Sequence, residues 1–398
     1  MSIFDDIGVA MIPSGYKAGK LYSVLPNNGN GDFDFTRATS ATRINSKGLI
    51  ESVGNNIPRL EYPIVNGVVG DCPALLLEPQ RTNNLIYSED FTDSYWGKAN
   101  TTVTPNSIIA PSGLNDGSLI TATGTNPRLT SNRPFGTGDF VFSWFAKKGT
   151  SSYLKIRVYD GSANHDAVFN LENGTLTSGN GIIEPYINDW FRCSLVYTSA
   201  GYTHYTQTYI SDSSSGNLYL WGSQIEEGEF PTSYIATNGA SVTRNGDVCN
   251  NSGTSGDFNS EEGVLYVEIK KDSNALNNTY SMITIGDALN NRLQIYLTDN
   301  SNDFGAFVGS SSGTNNISSA FNYGSYNKIA LSYNSSGFKV FHDGTLVGSN
   351  SNTISGLNLQ ELKFRFATST SYDFYGNVKC VAVFKSALTD DELEALTS

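Results

Sequence analysis

LYLWGSQIEEGEFPTSYIATNGASVT, running from Leu218 to Thr243, is the stretch on which the fold turns. Tyr219, Trp221, Ser223 and Ile225 alternate with Leu218, Leu220, Gly222 and Gln224, a period of two that predicts a strand rather than a helix. The acidic run Glu226, Glu227, Gly228, Glu229 ends the alternation, and Phe230-Pro231 imposes an extended backbone. Tyr234 and Ile235 are then expected to pack back on the sheet. The stretch closes one β-rich domain with a last strand and a strap, and hands the chain over to the next domain.

Upstream of it, NLIYSEDF, SLITATG, FVFSWFAKKG, YLKIRVYDG, AVFNLENG, FRCSLVYTS, THYTQTYIS and NLYLWGSQI succeed one another between Gly, Asn, Asp and Ser clusters. So many short strands predict a sandwich over residues 84–250, with Asn173-Gly174 and Asp160-Gly161 as hairpin turns. Downstream, GVLYVEIKK, SMITIGD, RLQIYLTD, FGAFVGS, KIALSYN, FKVFHDG, TLVGS, ELKFRFATS and VKCVAVFK predict a second sandwich over residues 251–398. Ile329, Leu331 and Tyr333 alternate there with Lys328, Ala330 and Ser332, and Ser335-Ser336-Gly337 and Asp343-Gly344 turn the chain. Leu362, Phe364 and Phe366 are expected to face inward, with Lys363 and Arg365 in water. Thr389 and Glu392 have the spacing of a capping box, which predicts one short helix sealing a sandwich edge. Residues 1–83 are different. Interrupted by Pro13, Pro26, Pro58, Pro63, Pro73 and Pro79 and by the NNGNG run from Asn27 to Gly31, they show no regular period. They are expected to form an extended arm that adds strands to a neighbour and carries assembly contacts. The predicted fold class is all-β, two antiparallel β-sandwiches preceded by this N-terminal arm.

Composition narrows the function. At 398 residues the chain is too long for one ordinary core. Lys+Arg 25 against Asp+Glu 38 gives 25 − 38 = −13, which disfavours a nucleic-acid partner, because phosphate affinity depends on clustered cations. Cys72, Cys193, Cys249 and Cys380 are far apart and form no CxxC pair, so they read as free thiols rather than as a zinc site or a disulfide framework. The opening MSIFDDIGVAMIPSG carries Asp5 and Asp6 where an export signal would be positive, and its apolar piece is too short to span a bilayer. Neither export nor membrane insertion is expected.

A sugar's apolar face stacks on aromatic rings while its hydroxyls need paired hydrogen bonds, which makes Tyr153, Tyr159, Trp190, Tyr205 and Tyr209 the candidate glycan-binding residues. The competing reading for each is a core or interface aromatic, and Trp96, Trp144 and Trp221 are read as core. In the arm, Arg37, Arg43, Arg59 and Arg81 are expected to form bidentate pairs that lock the leader, within the chain or between subunits. Asp299, Ser301 and Asp303 have the first, third and fifth positions of a calcium loop, but no glycine holds the sixth and no glutamate closes it. A polar hairpin turn is the plainer reading, and calcium is the one cofactor left open. Of the carboxylates open to a glycosidase, Asp299, Asp303, Glu268 and Glu227, none falls in the Glu-x-Asp-x-x-Glu strand motif, and Glu268 reads as a solvated side chain near an edge. Gly309 to Gly313 matches G-x-S-x-G without the helix that a nucleophile elbow requires, and His165, His204 and His342 are isolated. No catalytic residue is assigned, and the chain is not expected to be an enzyme.

Three strings, RATSATRINSKGLIESV from Arg37 to Val53, PALLLEPQRTNNLIYSEDF from Pro73 to Phe91 and YLWGSQIEEGEFPTSYI from Tyr219 to Ile235, resemble strings that recur in tailed-bacteriophage virion proteins. Those proteins are fibres, spikes and appendages of tail or head. The resemblance implies a carbohydrate-binding-module-like jelly roll in the middle of the chain. For the part after Gly253, which ends in ALTDDELEAL, it implies a laminin-G or concanavalin-A-like sandwich. It covers nearly the whole chain and is specific for the class, though not for a position on the virion. By resemblance the chain is a virion structural protein, assembled in the host cytoplasm and displayed on the virion surface for adhesion to a host-surface glycan. The arm would contact other virion proteins, and a homo-oligomer, with a trimer favoured, is implied. Two other functions stay open: a capsular or envelope polysaccharide depolymerase, and a ligand-free head decoration or cement protein.

Overall fold

In the strand Tyr153–Tyr159 the inward residues Leu154, Ile156 and Val158 have no exposed surface, while Tyr153, Lys155, Arg157 and Tyr159 face outward. That alternation repeats through a computed structural model that describes residues 3–201, 203–271, 281–288, 291–298, 302–310, 313–368 and 372–398. Among the described residues, the middle of the chain forms two six-stranded antiparallel sheets. Sheet A has the order Gly97–Ala99, Arg128–Pro134, Thr203–Tyr209, Tyr153–Tyr159, Asn164–Asn170, Thr175–Gly179. Sheet B has the order Thr101–Ile108, Gly117–Ala122, Asn217–Glu227, Gly138–Lys148, Trp190–Ser199, Gly181–Pro185. Phe142, Trp144, Ile156, Leu129 and Leu220 fill the space between them. The Asp160-Gly161 and Asn173-Gly174 turns fall where the sequence predicts, between the strands of sheet A that they join.

The strand Asn217–Glu227 departs from strict alternation. Ala146 pairs with Leu220 and Phe145 with Trp221, but Ser143 pairs with Gln224, so one extra residue is inserted on the later strand. Gly222, at φ +59°, lies in this bulge. The faces exchange there: Leu218 and Leu220 enter the sandwich core before the bulge and Ile225 enters the same core after it, whereas an unbroken period would set Ile225 with Trp221. Trp221 turns instead to the other side, against Tyr234 of the strap at a ring separation of 4.7 Å. The acidic run also differs from expectation. The strand continues into it as far as Glu227, and Glu226 is buried, accepting from the backbone N–H of Thr232 at 2.9 Å and from Gln224 Nε2 at 2.7 Å.

The second sandwich packs an eight-stranded sheet C on a five-stranded sheet D among the described residues. Sheet C runs Thr345–Asn350, Gly337–His342, Asn327–Asn334, Gly263–Lys270, Gly376–Phe384, Ala74–Leu77, Arg59–Glu61, and Ile7–Met11 also pairs with Gly376–Phe384. Sheet D runs Gly313–Ala320, Asp303–Ser310, Asn291–Leu297, Ser281–Ala288, Leu362–Lys363. The opening segment adds strands, but to its own chain: Ile7–Met11, Arg59–Glu61 and Ala74–Leu77 belong to sheet C, where the sequence predicts an arm outside both sandwiches. Ile7–Met11 and Ala74–Leu77 lie beside one strand, at Val381 to Phe384 and at Gly376 to Val378. Val9, Met11, Leu21, Phe33, Phe35 and Leu75 are fully buried in one core with Leu265, Val267 and Leu331. Burying each such side chain contributes about 1.5–3 kcal/mol, so the segment is held as firmly as the sandwich it joins.

Three local expectations change in this half. Thr389 caps the helix Asp390–Thr397 with both bonds of the box formed. Leu393 joins Tyr266, Ala330, Phe341 and Phe384 in a cluster set apart from the core, so the helix covers the outer face of sheet C rather than an edge. Gly263–Lys270 is a central strand, and Glu268 there pairs with Lys379 at 3.4 Å instead of standing near an edge. Lys363, expected in water, is buried with its ammonium 2.9 Å from Glu361.

Candidate functional site: an exposed tyrosine face

The strands Thr203–Tyr209 and Tyr153–Tyr159 are antiparallel neighbours in sheet A, and their register sets Tyr205 opposite Tyr159, Gln207 opposite Arg157 and Tyr209 opposite Lys155. His204, Thr206 and Thr208 point inward with no exposed surface, so Tyr205, Gln207 and Tyr209 point out. The next strands extend the rows. Asn132 lies beside Tyr205, Arg128 beside Tyr209, Asn164 beside Tyr159, Asp166 beside Arg157 and Asn170 beside Tyr153. The outer face of sheet A therefore groups aromatic rings, amides and charges on a rigid lattice.

The side chains are held by each other. Arg157 donates from Nε and Nη2 to Asp166 at 2.6 and 2.7 Å, and Lys155 Nζ is 3.0 Å from the same carboxylate. Burial acts to raise the Asp166 pKa, but Arg157 and Lys155 outweigh it and hold the carboxyl below its ordinary value. Tyr209 has Arg128 and Lys155 over its ring at 5.5 and 5.6 Å, and its hydroxyl donates to Gln207 Oε1 at 2.7 Å. Its ring is thus engaged by cations. Tyr159 is 39% exposed, with its hydroxyl donating to the carbonyl of Gly161 at 2.9 Å, so its ring is fixed and open to solvent. Tyr153 borders a shallow depression of about 370 Å3 walled by Thr150 to Tyr153 and by Ser211, Asp212, Ser213, Ser215 and Gly216, rich in hydroxyls.

Four of the five tyrosine and tryptophan candidates thus meet on one surface. Trp190 is the correction. It is 1% exposed, packs with Phe145, Trp221 and Tyr234, and donates from Nε1 to the carbonyl of Ile109 at 3.1 Å, so it has no face to offer a sugar. The polar partners Gln207, Arg157, Asp166, Asn132 and Asn164 were not singled out from sequence. Counting two residues along a strand from each tyrosine would have found Gln207 and Arg157, but cross-strand register is not a local signal.

The arm arginines are all engaged within the chain. Arg37 and Arg59 are fully buried; Arg37 Nη1 is 3.0 Å from Asp247, and Arg59 binds both Asp247 and Glu78, the latter at 2.5 Å. Arg43 donates to Glu51 at 2.8 Å beside the ring of Tyr16, and Arg81 lies over Phe230 with Glu226 4.0 Å away. Of the calcium-loop residues, Asp299 and Ser301 lie outside the described residues, and Asp303 opens the strand Asp303–Ser310. Among the described residues no group of three or more His, Cys, Asp or Glu side chains could hold a metal ion. All four cysteines are free thiols. Each histidine has a local bond: His204 to Tyr197 and Ser199, His165 to Asp160, and His342 to Asn327, where it is half-buried rather than exposed in its turn. No helix among the described residues is long and apolar enough to cross a membrane.

No curated protein matches the chain significantly. Among solved structures, the carbohydrate-binding module CBM40 of the Ruminococcus gnavus IT-sialidase aligns at 18% identity and TM-score 0.30, over 35% of this chain and 84% of that one. Domain 4 of AbnA, an extracellular arabinanase from Geobacillus stearothermophilus solved with arabinotriose, aligns at 14% identity and TM-score 0.33, over 43% of this chain and 83% of that one. The Trypanosoma rangeli sialidase aligns at 10% identity and TM-score 0.31, over 93% of this chain and 82% of that one. The second sandwich has a concanavalin A-like fold, and residues 266–394 match the family described as the concanavalin A-like lectin/glucanases superfamily.

Proposed function

We propose that this chain is a non-catalytic glycan-binding protein that uses the outer face of sheet A as its binding surface. The observation that carries the proposal is the juxtaposition of Tyr205 and Tyr159 across one strand pair, with amides and charged groups in register on the flanking strands. Fixed rings offer stacking area at little entropic cost, and amides and guanidinium groups bond hydroxyls or carboxylates. Arg128, Lys155 and Arg157 stand against Asp166 on this face, a local excess of cations in an acidic protein, which suits a glycan bearing carboxylates. The proposed setting is display on a phage virion for host attachment, supported by the three resembling strings, with oligomeric copies adding avidity.

A glycan array probed with the whole chain, followed by titration of the best acidic oligosaccharide, tests this. Replacing Tyr159 and Tyr205 together by alanine should weaken binding about tenfold or more while the melting temperature holds. A blank array, or affinity unchanged by the double replacement, would sink it.

A further inference from the structure

The opening segment, the first sandwich and the second sandwich meet around a half-open cleft of about 390 Å3, which none of the sheet A tyrosines lines. Glu61 and Tyr62 come from the end of Arg59–Glu61, Glu184 and Tyr186 from the end of Gly181–Pro185, and Tyr326 and Asn377 from the second sandwich. Val65, 63% exposed, forms part of the lip. The size and the place between domains are those of ligand sites in general. The chemistry is selective. Charged groups of both signs on the wall would be stranded by an apolar ligand, whereas three phenol rings lining the same cleft as carboxyl and amide groups match a ring that is apolar on its faces and hydroxylated at its rim.

We propose that this cleft is a second glycan site that takes a neutral pyranose against its tyrosines, with Glu61 bonding a sugar hydroxyl. The proposal stands independently of the sheet A face. Burial, reinforced by the negative charge of Glu78, pushes the Glu61 pKa up to about 7, against the opposing effects of Arg59, the Ile44 amide and Asn377. The other charged groups around the cleft are Glu184 and Arg192 from the first sandwich and Lys270 from the second. Burial, then the charge of Glu184, also raises the Tyr186 phenol, which stays neutral over the same range. A neutral carboxyl both donates and accepts, as a sugar hydroxyl does, and loses the donor on ionisation.

The test titrates the whole chain carrying Tyr159→Ala and Tyr205→Ala with neutral gluco-, galacto- and manno-configured trisaccharides. One of them should bind near pH 6 and bind about tenfold more weakly near pH 8. Glu61→Gln, which mimics the neutral acid, should keep the binding and lose the pH dependence, and Tyr326→Ala, which removes a ring that has the Lys379 ammonium 3.8 Å from its centre and would take the sugar on its other face, should cut affinity about tenfold. No binding at the lower pH, an unchanged pH dependence in Glu61→Gln, or full affinity in Tyr326→Ala would each overturn the proposal. None of these outcomes bears on the acidic-glycan titration of the sheet A face.

Discussion

Arg37 donates from Nη1 to Oδ1 of Asp247 at 3.0 Å, across 210 positions of sequence and with both side chains wholly buried. The other carboxylate oxygen of Asp247 binds Arg59 and accepts the backbone N–H of Glu78 at 2.9 Å. Glu78 in turn accepts from Arg59 at 2.5 Å, from Arg244 at 2.6 Å and from Ser233 at 2.7 Å. The leader is therefore tied to the strap and to the linker after it, both more than 150 positions away, by one buried polar network.

Asp247→Asn should be strongly destabilising, because it leaves two interior guanidinium groups short of charge; the expected loss is about 3–5 kcal/mol in denaturant unfolding. Arg43→Ala, in the same leader but at the half-open pair with Glu51, should cost only about 0–1 kcal/mol. Equal losses from the two would refute the distinction between them.

Stability should fall on both sides of an intermediate pH. Burial would raise the Glu78 pKa, yet Arg244, Arg59 and Ser233 hold it far below the ordinary 4.5, so its contribution is present above that value and is lost as pH falls through the acid range. Glu61 is shifted the other way, up to about 7, so its contribution is complete below 4.5 and is lost as pH rises through 7. Melting temperatures from about pH 3 to about pH 8 should show both slopes, and Glu61→Gln should flatten only the upper one.

Deleting the strand Ile7–Met11 should not leave an intact second sandwich. It uncovers the edge of Gly376–Phe384 at residues 381–384 and removes Val9 and Met11 from the core. The expected result is loss of cooperative unfolding and aggregation of the shortened chain. A soluble truncation melting like the full chain would contradict this. Docking of the leader to other proteins is accordingly better tested by substituting its exposed residues than by removing it.

Gly222→Ala should destabilise by roughly 1–3 kcal/mol, since the left-handed φ of +59° disfavours any Cβ there, and an added Cβ would stand 2.9 Å from the ring of Phe145. Gly136→Ala, where an added Cβ meets nothing within 4 Å, is the control and should be close to neutral. Thermal melts of the pair decide it.

Much of the molecule was legible along the chain because its signals are local. The period of two in YLKIRVYDG places three apolar residues inside and four polar or aromatic ones outside whatever the strand pairs with, and Thr389 and Glu392 cap their helix through bonds three residues apart. The bulge at Gly222 defeated the same logic, because one inserted residue reverses every face that follows and only the partner strand shows the insertion. Glu61-Tyr62-Pro63 and Glu184-Pro185-Tyr186 each put an acid beside a tyrosine and a proline, a signal visible in the sequence but without meaning until the two strings line one cleft.

Sequence alone determined that the chain is built of antiparallel strands and where most of them turn, since alternation and turn chemistry act over a few residues. Tertiary structure decided what the leader joins, which tyrosines share a surface, and that Arg37 and Arg59 close on Asp247. Those outcomes depend on the register between segments up to two hundred positions apart, and that register is chosen by burying Val9, Phe33 and Leu75 in a core whose other half comes from the end of the chain.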